Sequence, residues 1–294
     1  MMVQVRTNIR PEETRTGGEH VLFVEGSLDQ LVLRALLGNS LRVEVMGPSS
    51  YVRSAAEALA SHHPRYYFLI DRDHHDDQFV EQSWTNFPNP DEGNILVWRR
   101  REIENYFLDP PFLVQSKFCR ASEAAELERT LVRAALERVF LDAANLVISS
   151  IREEQKQTWI QHFTNPADFT SQEVAIERLI SQEAFVERSE KVSAMLSNDE
   201  LISRFKESLA SMIGDGERLT YGKGQWIKMI RGKKVLPQLL NSGGFQVTDA
   251  KGKTLTGKEM EKEIVKELAV KDVDSRPSDL KKLQQLVRGR VAST

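Results

Sequence analysis

With 294 residues, 40% hydrophobic and 28% charged, the chain has the size and composition of one large or two modest globular domains with a real core. A net charge of −3 excludes a global basic field, so any nucleic-acid binding must rest on local patches. The single cysteine, Cys119, excludes an internal disulfide framework and a thiolate zinc site, and reads as a buried thiol in a reducing cytosol.

Residues 1–18 are polar, carry Arg6, Arg10, Glu12 and Glu13, and end on Gly17-Gly18. They read as a loose arm or an edge strand without the apolar core of a secretory signal. No apolar run approaches the roughly 20 residues needed to span a bilayer, so a cytoplasmic protein is expected. A strand follows over 20–25. Leu28, Leu31, Val32, Ala35 and Leu36 then recur at helical spacing, and Gly38-Asn39 marks the helix end. Leu41 to Val45 alternates with period two, a second strand. Pro48-Ser49-Ser50 opens a helix to about His62, which Pro64 stops. The continuously apolar run 66–70 predicts a strand covered on both faces. Residues 74–93 read mostly as loop with a short helix at 78–84, and Asn94 to Trp98 is a fourth strand. Strands and helices in this alternation predict an α/β fold with an open, mostly parallel sheet and right-handed crossovers.

After Pro110-Pro111 the texture changes. Leu127, Leu131, Ala135 and Val139, then Val174, Ile176, Leu179 and Ile180, then Met195, Leu201, Ile202 and Leu209 are helical in period. Gly214-Asp215-Gly216 breaks this run. A short helix is expected near 233–241, and two more over 257–269 and 277–289. The predicted organisation is therefore a sheet domain over 1–110 and a mainly helical region over 111–294. Closed two-fold assemblies are the commonest oligomers, so a homodimer using the apolar stripes of the helical region is expected.

Two strands end on acids. Val21-Leu22-Phe23-Val24 runs into Glu25-Gly26, with Asp29 three residues beyond the glycine; Tyr66 to Ile70 runs into Asp71-Arg72-Asp73. In a parallel sheet the carboxyl ends of the strands line the ligand crevice. Residues two apart on a strand share a side, so Asp71 and Asp73 are expected to face together if the extended backbone lasts that far. Gly26 would let the chain turn with no Cβ in the way. Oxygen-only ligands suit Mg²⁺ or Mn²⁺, and Mg²⁺ keeps phosphate oxygens in its shell, which makes a phosphodiester the natural substrate. Two ions about 4 Å apart stabilise both the attacking and the leaving oxygen of an in-line displacement. The bland alternative is that each cluster is an ordinary solvated strand end.

The Glu25-Gly26 and Asp71-Arg72-Asp73 pair resembles the TOPRIM domain of topoisomerases, bacterial primases and nucleases over about residues 19–110, and Asp29 matches the second acid of the nuclease branch. Trp98-Arg99-Arg100-Arg101-Glu102-Ile103-Glu104-Asn105-Tyr106 and Trp226-Ile227-Lys228-Met229-Ile230-Arg231-Gly232-Lys233 are similar to segments of a narrower TOPRIM family, the AriB-type effector nucleases of PARIS anti-phage systems. The resemblance implies a Rossmann-like TOPRIM fold and Mg²⁺- or Mn²⁺-dependent endonuclease activity on RNA, with transfer RNA as target. It also implies a toxin-like role in antiviral defence, the nuclease being held inactive by an AriA-type ATPase. It puts Glu25, Asp71 and Asp73 in catalysis and Glu25, Asp29, Asp71 and Asp73 at the metal.

From the residues themselves, Glu104 reads equally as a further ligand or as an ion-pair partner of Arg99–Arg101. Asn105 and Tyr106 read as capping and packing residues. Lys228 and Lys233 suit a scissile phosphate or a solvated helix start, and His74 suits substrate contact or proton transfer. Neighbouring histidines on an irregular loop seldom share an ion, which argues against a transition-metal site at His74-His75-Asp76-Asp77. A topoisomerase or primase needs modules that are not visible here. A DNA-cleaving nuclease, or a non-catalytic partner-binding module with a relic acidic pocket, are the alternatives.

Overall fold

The computed structural model describes residues 19–73, 75–157, 165, 170–181, 183–214, 216 and 218–293. The N-terminal arm, His74 and Asp215 lie outside the described residues. The first part alternates β1 (Val21–Val24), α1 (Ser27–Leu37), β2 (Arg42–Val45), α2 (Ser49–Leu59), β3 (Tyr66–Ile70), α3 (Asp77–Asn86) and β4 (Ile95–Val97). Helices then dominate: α4 (Pro110–Leu113), α5 (Ala124–Leu136), α6 (Val139–Gln157), α7 (Gln172–Ile180), α8 (Glu183–Met195) and α9 (Asn198–Ile213). Beyond them lie α10 (Trp226–Met229), α11 (Gly232–Leu240), the short strands β5 (Val247–Thr248) and β6 (Thr254–Leu255), α12 (Gly257–Ala269) and α13 (Ser278–Ala292). No described helix is long and apolar enough to cross a membrane.

The main sheet has the order β2-β1-β3-β4 with every neighbouring pair parallel. This is an α/β fold compatible with the Rossmann-like class. All four residues of β1 are buried, as are the last four of β3, as expected of apolar strands covered on both faces. The chain leaves β1 for β2 on one side and comes back to β3 on the other. The gap between β1 and β3 is therefore the topological switch point, where the crossovers diverge and a crevice opens outside the strand ends. Glu25 and Asp71 are the residues that follow these two strands.

Local signals act where they were expected. Gly38 ends α1 at φ +60°, a conformation strained for residues with a Cβ. The 74–93 segment carries more helix than its acids and prolines suggest, because Asp76 caps α3 by accepting the Phe79 N–H at 2.7 Å. The β5–β6 hairpin was not foreseen, since two-residue strands are too short to show a period.

The chain divides into two compact units, Met1–Glu137 with Ile227–Thr294, and Arg138–Trp226. This differs from the split expected at 110/111. The physical reason lies in the apolar faces of the last helices. Met260, Ile264, Val265 and Leu268 of α12 and Leu280, Leu283 and Val287 of α13 are buried, and both helices pack on α1. α11 packs on α5 and on the turn over 103–107. The sheet's core is thus completed by residues some 200 positions downstream of the strands, a long-range pairing that helical periodicity alone does not encode. In the second unit Val147, Ile151 and Met195 form a core with Leu201 and Phe205 against it.

Candidate active site at the carboxyl ends of β1 and β3

The Glu25 Oε1 accepts the backbone N–H of Asp71 at 2.7 Å, so the Glu25 side chain reaches the end of β3 across the switch point. Asp29, in the first turn of α1, is 3% exposed. Its carboxylate accepts from Trp98 Nε1 at 3.3 Å, and the nearby backbone N–H groups of Gly26 and of Asp29 itself favour its charged form. An acid here also suits the positive end of the helix. Gly26 is not needed for a turn, since its backbone is extended at φ −125°; a Cβ there would stand 2.9 Å from Asp29 Oδ2 and push that carboxylate aside. Asp73 departs from the strand alternation expected of it. The strand ends at Ile70, and Asp73 is exposed at φ +45°, so Asp71 and Asp73 are not brought together by the pleat. Asp73 still lies close enough for its charge to act on Glu25.

The largest departure from expectation is Lys233. Its Nζ donates to Asp71 Oδ2 at 2.8 Å and stands 3.7 Å from Glu102 Oε1. A dedicated clamp seats it there. Arg101 donates its N–H to the Lys228 carbonyl at 2.7 Å and its guanidinium to the Met229 carbonyl at 3.0 Å. Asn105 Nδ2 donates to the carbonyls of Ile227 at 2.7 Å and Ile230 at 2.8 Å, while its Oδ1 accepts the Glu102 N–H at 3.1 Å. Glu102 Oε2 in turn accepts the Lys233 N–H at 2.7 Å. A Cβ on Gly232 would meet Asn105 Oδ1 at 2.4 Å and the Asn105 backbone N at 2.9 Å, so only glycine permits this approach. The Arg101–Asn105 segment and the Ile227–Lys233 segment, both recognisable in the sequence, are therefore two halves of one device. Glu102 was not foreseen as part of it; the signal available was its place beside Glu104 and ahead of Asn105.

Asn105→Ala is expected to destabilise the protein by about 1–3 kcal/mol, because it takes this donor from the buried Ile230 carbonyl and the partly buried Ile227 carbonyl. Urea unfolding of the metal-free protein reads this directly, and a loss below about 0.5 kcal/mol would show that the clamp does not hold the segment.

Glu104 lies in the turn over Ile103–Phe107 and is 4% exposed. The alternative of pairing with Arg99–Arg101 is not what the structure shows. Arg99 bonds Glu81 and Asp279, Arg100 bonds the Asn105 carbonyl, and Arg101 serves the clamp. Burial holds the Glu104 carboxyl up to about 8, against the pull of Lys233. Burial, then the Asp29 charge, push Asp71 upward, and burial does the same to Asp29 and Glu25. Burial by itself would lower Lys233, but Asp71, then Glu102 and Glu104, hold the ammonium protonated. This cluster holds more carboxyl groups than its one ammonium can neutralise.

The donor chemistry fits a hard divalent ion. Asp71 Oδ1 and Glu104 Oε2 are buried carboxyl oxygens without a hydrogen-bond partner among the described residues. As arranged around Lys233, no three candidate ligands among the described residues converge at metal spacing. The residues able to contribute are Glu25, Asp71 and Glu104, with Asp29 largely committed to the helix start. Lys228 is exposed on α10, and its backbone carbonyl, rather than its ammonium, is tied to Arg101. His75 contacts Arg53 and stacks on Phe79 at 4.7 Å. Comparison with protein-family models, curated proteins and solved structures finds no match to this chain.

Proposed function

We propose that the chain is a TOPRIM-type, Mg²⁺- or Mn²⁺-dependent phosphodiesterase that cleaves a polynucleotide, with RNA, and transfer RNA in particular, as its substrate. The observation that carries this reading is the meeting of Glu25 and Asp71 at the β1/β3 switch point, with unpartnered Asp71 and Glu104 oxygens beside a protonated lysine. A bound divalent ion would supply Lewis-acid polarisation of a phosphodiester and neutralise charge developing on it. Glu25, Asp71 and Glu104 would hold that ion. Lys233 is a compact cation beside the same carboxylates, suited to a phosphate oxygen once Asp71 engages the ion. Glu25, held by the Asp71 N–H, keeps one oxygen for a second partner and is the candidate base for the attacking hydroxyl. In the same proposal the nuclease is stored with an AriA-type ATPase and acts as a homodimer when released.

The test is to incubate the purified protein with transfer RNA and with genomic DNA, with and without Mg²⁺ or Mn²⁺. Selective, metal-dependent cleavage of RNA is the expected result. Cleavage of DNA alone would reassign the substrate. One observation favours the non-catalytic alternative: Lys233 neutralises Asp71, and Asp29 is engaged at the helix start. Absence of cleavage of either polymer with either ion, in the free protein and with its partner, would select that reading.

A further inference from the structure

Two members of the acid cluster, Asp29 and Glu104, line a groove of ≈ 570 Å³ together with Glu261 and five basic side chains. Arg231, Lys233 and Lys234 come from the start of α11, and Lys258 and Lys262 from the first turns of α12. Lys234, Lys258 and Lys262 are exposed. On a chain of net charge −3, this concentration of cations is local rather than a share of a general basic field.

A second feature has the same sign. Three helices of 11, 9 and 13 residues, α1, α11 and α12, begin at this groove, where Gly26, Lys233 and Gly257 line it. None of the three carries an N-cap side-chain hydrogen bond among the described residues. Glu102 takes the Lys233 N–H and Asn241 takes the Gly257 N–H at 3.4 Å, and the dipoles of the three helices add to the positive field. The third observation comes from the acids. Glu104, whose Oε2 is buried without a hydrogen-bond partner among the described residues, is one of the groove's lining residues and points to a cation there. Acids beside a basic rim are the complement of a cation with a phosphate above it.

Lys258 and Lys262 are one helical turn apart, about 6 Å at Cβ, and their flexible stems reach successive positions along an extended anion. Several cations spread over α11 and α12 exceed what one phosphate group can engage. We infer that the α11–α12 rim is a track for the phosphodiester backbone of a polynucleotide, with Lys234, Lys258 and Lys262 contacting phosphates that flank the one over the acid cluster. The inference rests on the reading of the site as a phosphodiesterase and adds the residues that hold the strand.

The experiment is fluorescence anisotropy of a fluorescein-labelled single-stranded RNA oligonucleotide titrated with the full chain in EDTA, across a series of salt concentrations. Wild-type protein is expected to bind, more weakly as salt rises. The Lys258→Gln, Lys262→Gln double variant is expected to bind more weakly at each salt concentration. Its log–log salt slope should be shallower by about 1.4, or about 0.7 for each lost phosphate contact. Lys251→Gln, in the β5–β6 turn, is the control and should match wild type. Wild-type affinity and slope in the double variant would overturn the track, as would failure of the wild type to bind or competition by inorganic phosphate as effective as by unlabelled RNA. Both readings are separable. RNA binding through these lysines without cleavage under any metal leaves the track standing and removes the catalytic reading. RNA cleavage with unchanged KM in the double variant does the reverse.

Discussion

Glu25→Gln is expected to reduce nuclease activity to background, a loss of at least about 10³-fold on the scale of a general base or a charge-stabilising group, and in a cell to abolish toxicity. Both roles open to Glu25, metal ligand and base, require the ionised carboxylate. The fold should survive. A glutamine oxygen can still accept the Asp71 N–H that Glu25 Oε1 now accepts at 2.7 Å, so the link across the switch point remains. Burial raises the Glu25 carboxyl, the Asp71 N–H partly offsets this, and the charges of Asp73 and Asp29 push it further up. A carboxyl raised in the folded state costs stability as pH climbs above its unfolded value. The glutamine variant is therefore expected to equal wild type at acidic pH and to melt at the same or a slightly higher temperature at neutral pH in EDTA. Glu25→Ala should also be inactive, but without the bond to Asp71. Full activity in purified Glu25→Gln protein would move the chemistry elsewhere.

The parts of this fold that were legible in the sequence are those governed by neighbours along the chain. The run Val21–Val24 and the run Tyr66–Ile70 are strands because continuous apolar residues stop at an acid, and Glu25 and Asp71 were found as strand-end carboxylates for the same reason. Their juxtaposition depends on β1 lying beside β3, and strand order is not written in any local pattern. Asp73 was misplaced because period-two reasoning was carried three residues past the end of β3. Lys233 was visible as a cation in a glycine-flanked segment. Its partner Asp71 is 162 residues away, and only the complementarity of Gly232 with Asn105 brings them together. The grouping of the chain into units differs from a division at 110/111 on similar grounds. An amphipathic stripe on α12 or α13 announces that a face will be buried, while the choice of α1 as the surface that buries it is made by shape and volume in three dimensions.

The pH dependence of the metal-free protein should carry the signature of Glu104. Burial holds its carboxyl up to about 8, from an ordinary value of 4.5. The folded protein therefore keeps a proton that the unfolded chain releases. Stability from this group is complete below the unfolded value and falls as pH rises, by about 1.4 kcal/mol per unit. Between pH 4.5 and 7 the loss amounts to roughly 3 kcal/mol. Glu104→Gln cannot release that proton, so its stability measured by urea unfolding in EDTA should gain on wild type by about this amount over the same interval. The absolute level is a poorer guide, because the amide places a nitrogen or oxygen where Glu104 Oε2 is already buried without a partner, at a constant cost of about 1–3 kcal/mol. The slope is what tests the electrostatics. A divalent ion that takes up the Glu104 and Asp71 oxygens must displace the proton, so the rise in melting temperature with added Mn²⁺ should be larger at pH 8 than at pH 6. Parallel stability curves for wild type and Glu104→Gln across this range would mean that Glu104 is already ionised in the folded protein. A cation would then have to be recruited without proton release, and the crowding of carboxyls around Lys233 would not be the source of metal affinity.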